Sequence, residues 1–309
     1  MGTLKGRDIL SLADLSSAEI QQILDWAIAM KKGELNPRFT DRIPTLGLLF
    51  YKASTRTRVS FSTAMYQLGG QVMDLNINVT QIGRGEPIED TARVLDRYLD
   101  ALAIRTFDQS EIETYARYAK MPIVNALTDL EHPCQVLADL QTVQENFGQC
   151  EGLTFTYVGD GNNMAHSILI GCAAMGMNVR IAAPIGYQPD VAIVDKAKAI
   201  AGERSEVIVT PDYQAAVKGA QIVYTDVWAS MGQEGEADER IPVFMPYQVN
   251  EDLMTLADQE AIVLHCLPAH RGEEISAGVM EGPQSRIWDQ AENRMHAQKA
   301  LLAGLFGLV

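Results

Sequence analysis

Thr45-Leu46-Gly47-Leu48-Leu49-Phe50-Tyr51-Lys52-Ala53-Ser54-Thr55-Arg56-Thr57-Arg58-Val59-Ser60-Phe61 joins an apolar run to a burst of hydroxyls and guanidiniums. The run is too short for a helix and reads as a buried strand, while Val59, Phe61, Ala64, Met65 and Leu68 follow at helical intervals. Between them lies a strand-to-helix turn suited to phosphate. The first helical N–H groups have no partner within the helix and sit at its positive end, so an anion can take them while Ser54, Thr55 and Thr57 add donors. Arg56 contributes a planar fork of donors and a permanent charge. An ordinary N-cap would explain one hydroxyl, not three interleaved with two arginines, so phosphate is the better reading.

Outward from this turn, strands and helices alternate. Gln71–Leu75, Ala101–Arg105 and Pro122–Ala126 are short β-rich runs, separated by helical stretches at about 55–68, 87–99 and 109–120. Upstream, Ser16-Ser17-Ala18-Glu19 has capping-box spacing and opens an amphipathic helix to about Lys32–Gly33. Such alternation predicts a parallel sheet covered on both faces. A long helix, Pro133 to about Phe147, leads into a second series with strands at Leu153–Val158, Asn178–Ala183, Glu206–Val209, Gln221–Thr225 and Ala261–Leu264. Its helices fall near 163–176, 189–202, 212–218 and 250–257, and a last helix runs from about Ile287 to Leu305. The expected fold is α/β: two open parallel-sheet domains with an interdomain cleft. The acidic, glycine-containing stretch Gly232–Arg240 reads as a mobile loop.

Composition narrows the function. With 25 Lys+Arg against 40 Asp+Glu, the net charge of −15 makes nucleic acid an unlikely partner and requires any anion to be drawn by local charge. No apolar run approaches the ~20 residues of a membrane span. The opening Met1–Asp8 lacks the apolar core of a secretory signal, and Cys134, Cys150, Cys172 and Cys266 show no metal or disulfide spacing. The expectation is a soluble protein of the reducing cytoplasm.

The chemically suggestive segments all follow strands, where ligands bind in open parallel sheets. Arg105 ends one strand. His132-Pro133-Cys134-Gln135 opens a helix with Pro at N1, leaving an imidazole and an amide able to converge on a carbonyl or an amide-like group, or only to cap the helix. Gly159-Asp160-Gly161 suggests a dinucleotide fingerprint, but Asn162-Asn163-Met164-Ala165 follows instead of a third glycine, and a nicotinamide or flavin site is rejected. The two asparagines suit a substrate carboxylate or a plain cap. Asp226-Val227-Trp228-Ala229-Ser230-Met231-Gly232 offers a carboxylate for an ammonium and donors for a carboxylate, the head group of an α-amino acid, or an Asp turn beside a buried Trp. His265-Cys266-Leu267-Pro268-Ala269-His270-Arg271 invites a metal, but its spacing matches no zinc pattern, and a Cys nucleophile lacks an evident activating partner.

Ser54-Thr55-Arg56-Thr57-Arg58, His132-Pro133-Cys134-Gln135 and His265-Cys266-Leu267-Pro268, in this order, resemble the aspartate/ornithine carbamoyltransferase family across nearly the whole chain. Asp226 through Gly232 with the Cys after His265 resembles its ornithine branch; the aspartate branch lacks both, and acetylornithine carbamoyltransferases are less similar around the first motif. The resemblance implies a carbamoyl phosphate-binding domain at 1–147, to which a C-terminal helix at about 287–309 returns, and an ornithine-binding domain at 148–286. It implies trimers, or multiples of trimers, with the site near a subunit interface, and no cofactor or metal. Ser54, Thr55, Arg56 and Thr57 would hold the phosphate, with Gln81 helping from its own or a neighbouring subunit. Arg105, His132 and Gln135 would hold the carbamoyl group. Asn163, Asp226, Ser230 and Met231 would take L-ornithine, and Cys266, Leu267 and Arg294 would complete the site. Catalysis is assigned on the same ground to Arg105, His132, Asp226, Cys266 and Arg294. A putrescine carbamoyltransferase and a non-catalytic binding paralogue are the alternatives, the second expected to show a broken catalytic set; none is broken here.

Overall fold

The structure is a computed structural model and describes residues 4–229 and 234–309. The chain divides into two units, one comprising residues up to Gln141 together with Glu292–Val309, the other Thr142–Ala291.

In the first unit, β1 (Thr45–Phe50), β2 (Gln71–Asn76), β3 (Ala101–Arg105) and β4 (Ile123–Leu127) form a parallel sheet in the order β2-β1-β3-β4. α1 (Ser17–Lys31), α2 (Arg56–Gln67), α3 (Ile88–Leu95), α4 (Gln109–Tyr118) and the start of α5 (Pro133–Phe147) accompany it. The capping box expected at Ser16 is present, its hydroxyl accepting from the Glu19 N–H while the Glu19 carboxylate accepts from the Ser16 N–H. The central strands β1 and β3 are buried along their whole length, as their runs of Leu, Ala and Ile require, and β4, last in the order, is buried too, with Ile9 bridged to Val124 on its outer side. β2 departs from the expected coverage of both faces. It is an edge strand, half-exposed to exposed throughout, and carries Gln71, Asp74 and Asn76. Leu49, Leu102, Ile104, Ile112, Tyr115 and Ile123 make the core beneath.

In the second unit, β5 (Thr154–Val158), β6 (Asn178–Ala182), β7 (Val207–Thr210), β8 (Ile222–Thr225) and β9 (Ile262–His265) are all parallel, in the order β7-β6-β5-β8-β9. Its helices are α6 (Asn163–Ala174), α7 (Val191–Ala201), α8 (Tyr213–Val217), α9 (Ala237–Phe244), α10 (Glu251–Met254) and α11 (Ala277–Met280). α6 is buried from Met164 to Ala174, matching its nearly unbroken apolar sequence. The reading of Gly232–Arg240 as a loop is corrected in its described part: a 3-10 turn spans Glu234–Glu236, α9 starts at Ala237, and Arg240 is buried. Acidic residues at Asp238 and Glu239 in a first helical turn favour a helix that composition alone read as loop. α12 (Ile287–Phe306) begins in the second unit and continues into the first. There Gly304 meets Leu4 and Trp26 so closely that an added Cβ would lie 3.0 Å from each.

Each sheet reverses its strand order once, between β1 and β3 in the first and between β5 and β8 in the second. Connections leave to opposite sides at such points, opening a crevice at the carboxyl ends of the strands.

Candidate active site

At the first reversal, β1 delivers Ser54–Thr57 and β3 delivers Arg105 side by side, because Phe50 and Arg105 pair in register. The Arg105 guanidinium donates to Ser54 Oγ at 3.4 Å and is buried. Thr55 stands at the N-cap of α2 but makes no side-chain cap bond, so a simple capping role does not account for its hydroxyl. The two arginines of the turn diverge. Arg58 is engaged by Asp74 and lies over the Phe50 ring, 5.1 Å from its centroid, whereas Arg56 is exposed at the first helical position. Thr57, buried, accepts from Arg294 Nη2 at 2.6 Å. Arg294 also donates to Gln135 Oε1, and Gln135 Nε2 donates to Asp139 Oδ1 at 2.9 Å. Thr57, Gln135 and Arg294, far apart in sequence, thus form one buried chain that Gln135 extends to Asp139.

His132 sits among these groups, 6% exposed. Burial, reinforced by the positive charges of Arg294, Arg105 and Arg56, holds its imidazole well below the ordinary histidine range. It is therefore neutral at physiological pH, able to donate one N–H to a carbonyl oxygen without carrying a charge. The neighbouring Cys134 thiol is pushed up to about 12 by burial, and its Sγ donates to the Asn125 carbonyl at 3.4 Å; it is a packing residue, not a nucleophile.

At the second reversal, Asn162 follows β5, Asp226 follows β8 and Cys266 follows β9. Asn162 caps α6, its Oδ1 accepting from the Met164 and Ala165 N–H groups at 2.9 and 3.3 Å, while its Nδ2 donates to Asp226 Oδ2 at 3.0 Å. The Cys266 thiol donates to the other oxygen, Asp226 Oδ1, at 2.9 Å. Oδ1 also accepts from the Val227 N–H at 2.8 Å, so neutral donors fix the orientation of this buried carboxylate. Asn163 is the first residue of α6, beside them. Leu267 adopts a left-handed φ of 60°, costly for a branched side chain, and its N–H donates to His265 Nδ1 at 2.8 Å. That bond places the ring proton on Nε2, which donates to Glu274 Oε1 at 3.0 Å. Gln290 completes the support by accepting from the His265 N–H at 2.9 Å.

The site's supporting residues are largely ones that sequence reasoning missed. Asp160 accepts from Arg240 Nη1 at 3.1 Å, and the same nitrogen donates to the Trp228 carbonyl at 3.0 Å. Burial pushes the Asp160 carboxyl up to about 6 despite Arg240, with Asp226 adding repulsion. Arg240 lies in the acidic stretch read as a loop, and nothing local marks it; Asn162, read as a partner for a substrate carboxylate or as a plain cap, caps α6 and also holds Asp226. Gly161 has a packing reason unrelated to dinucleotides: a Cβ there would meet Pro189 N at 2.2 Å and Gln188 C at 2.3 Å. Gln81 is exposed, and its carbonyl accepts from the Arg84 and Glu86 N–H groups of its own turn; no described contact joins it to the Ser54–Arg294 group. Ser230 and Met231 lie outside the described residues. The grouping Asp226, His265 and Cys266 could hold a metal ion by proximity, although both Asp226 oxygens and both His265 nitrogens already have protein partners.

Residues 7–145 match the aspartate/ornithine carbamoyltransferase carbamoyl-P binding domain, and residues 151–305 the Asp/Orn binding domain of the same family. The ornithine carbamoyltransferase of Nostoc punctiforme is 65% identical over 307 residues, covering 99% of each chain. The crystal structure of ornithine carbamoyltransferase from Gloeobacter violaceus is 55% identical, with a TM-score of 0.89 over 98% of this chain and 100% of that one. The enzyme of the same name from Pyrococcus furiosus is 48% identical, with a TM-score of 0.94 over 99% of both chains.

Proposed function

The chain belongs to the aspartate/ornithine carbamoyltransferase family, and from that premise we infer that it transfers the carbamoyl group of carbamoyl phosphate to the δ-amine of L-ornithine. The products are L-citrulline and phosphate, a step of arginine metabolism. The observation that carries the reading is the Asn162–Asp226–Cys266 arrangement: a buried carboxylate, oriented by neutral donors, suits the α-ammonium of an amino acid.

The proposed roles follow from charge. Ser54, Thr55, Arg56 and Thr57 bind the phosphate at the start of α2, Arg105 and neutral His132 donate to the carbamoyl oxygen, and Gln135 receives the carbamoyl amide. Asn163 and Asp226 engage ornithine, as do Ser230 and Met231; Cys266 and Leu267 line the reacting end, and Arg294 fixes Thr57 and Gln135. The neutral δ-amine attacks the carbamoyl carbon, a C–N bond forms, and negative charge gathers on the carbonyl oxygen. The C–O bond to phosphate then breaks, the leaving group keeping the electron pair and taking the proton the amine loses. Fixed donors at such an oxyanion are worth about 3 kcal/mol each. Neutrality of His132 supports this arrangement, since an imidazolium among three arginines would repel them.

We also propose a homotrimer, or a multiple of it, working in arginine biosynthesis in the cytoplasm. Exposed Val59, Tyr66, Met73 and Val79 around α2 and β2 support an assembly surface in the first unit, where Gln81 could serve a neighbour's site. Four free cysteines and, among the described residues, no helix long and apolar enough to cross a membrane accord with that location. The test is citrulline formation by purified protein, with ornithine and putrescine assayed side by side. Preference for putrescine, or binding without turnover, overturns the assignment.

A further inference from the structure

We propose that His270, Glu273 and Glu274 form a binding site for a divalent transition-metal ion of the zinc or cobalt type, separate from the residues assigned to the reaction. The loop after β9 brings His270 Nδ1 within 3.6 Å of Glu273 Oε2 and 3.9 Å of Glu274 Oε2, and the three ligand atoms all lie within 4.8 Å of one another. Glu274 supplies a second, independent observation. Its side chain is fully buried, and the two oxygens are used very unequally. Oε1 accepts from His265 Nε2 at 3.0 Å and from the His270 N–H at 2.6 Å, whereas Oε2 has no hydrogen-bond partner and faces His270 Nδ1. A buried carboxylate oxygen left without a donor among the described residues is costly, and a cation shared with His270 and Glu273 would satisfy it.

The dimensions fit a small ion. Tetrahedral bonds of about 2.1 Å place ligand atoms roughly 3.4 Å apart, so only small inward movements are needed. Glu274 is held by His265, while the half-exposed His270 and Glu273 side chains can swing toward it. One imidazole and two carboxylates without a thiolate select zinc, cobalt or nickel over copper(I), and an imidazole ligand disfavours magnesium and calcium. The remaining coordination position opens to solvent and takes water. Because Glu274 Oε1 stays on His265, an ion on Oε2 would tie this loop to the turn that carries Cys266 and Leu267.

The test is titration of the full-length, chelator-treated protein with Co2+, followed by its visible absorption. Cys266→Ser, which removes the thiol of the other grouping near Asp226, serves as a second background. Expected is one Co2+ bound in both proteins without a thiolate-to-cobalt charge-transfer band, and at least tenfold weaker binding in His270→Ala and in Glu273→Gln. Both changes are at half-exposed side chains, so folding, checked by circular dichroism, should be unaffected. Unchanged affinity in those variants, a thiolate band that vanishes together with all binding in Cys266→Ser, or no binding at millimolar Co2+ would each overturn the proposal, the last leaving a plain His–Glu ion pair.

Discussion

Arg56 and Asp226 carry opposite charges and make opposite demands on their surroundings. Arg56 is exposed, so Arg56→Gln should leave the thermal midpoint within a degree or two of the parent while lowering kcat by about 10²–10³-fold through lost stabilisation of the departing phosphate. Near-normal turnover would remove the phosphate from this turn. Asp226 is buried and doubly bonded to Asn162 and Cys266, so Asp226→Asn keeps the shape and removes the charge. It should raise the ornithine KM steeply and leave carbamoyl phosphate binding nearly unchanged, since an ammonium left unpaired on burial costs about 1–3 kcal/mol. Steady-state assays with each substrate varied in turn decide it, and an unchanged ornithine KM would locate recognition of the ammonium elsewhere. His132 gives a pH prediction. Its folded-state value is lowered, so between the ordinary 6.5 and that lower value the unfolded chain binds the extra proton and the folded state loses stability as pH falls. The loss is at most about 1.4 kcal/mol per pH unit. Urea unfolding between pH 7 and pH 5 should show a shallower decline in His132→Gln than in the parent; identical slopes would mean that the imidazole is not held neutral.

At the scale of elements, α9 and α12 each insert one arginine into polar surroundings prepared by other segments. Arg240 on α9 holds Asp160 after β5 and the Trp228 carbonyl after β8, two residues beyond Asp226. Arg240→Leu strands a buried carboxylate and should cost about 3–5 kcal/mol in urea unfolding. It should also raise the ornithine KM more than the carbamoyl phosphate KM, because Asp160 is close enough to feel the charge of Asp226, and Trp228 follows it in the same turn. A variant with unaltered stability would show the pair to be incidental. The strands themselves were legible: the run from Leu46 to Phe50 carries no polar side chain because β1 is central and buried, and Asn76, Gly159 and Asp226 stand at the ends of three others. α9 was not legible, since acidic residues that favour a helix N-terminus are also what an exposed loop contains.

For the whole molecule, the net charge of −15 gives an anionic substrate no help from the overall field, so the proposed carbamoyl phosphate site relies on the local charges of Arg56, Arg105 and Arg294 around His132. If its binding neutralises those arginines and favours the ornithine-competent state, the unreactive analogue norvaline should bind weakly alone and at least tenfold more tightly with carbamoyl phosphate present. Calorimetry of norvaline with and without it reads the coupling directly. Equal affinities would mean that the two substrates bind independently.

The sequence by itself determined the alternating α/β architecture, the two-part organisation and the family, because hydrophobic periodicity and strand-end motifs are local properties of neighbouring residues. Ser54–Thr57, His132 and His265–Leu267 could be named from such motifs. Only the tertiary structure decided that Thr57, Gln135 and Arg294 share one buried chain, that Asn162 aims Asp226, and that Arg240 reaches Asp160. It also decided that His132 is neutral, since that depends on burial and on three guanidiniums brought from separate elements. Side-chain partnerships across tens or hundreds of residues leave no periodic trace in the chain; they arise where strand order reverses and distant loops are brought to the same edge.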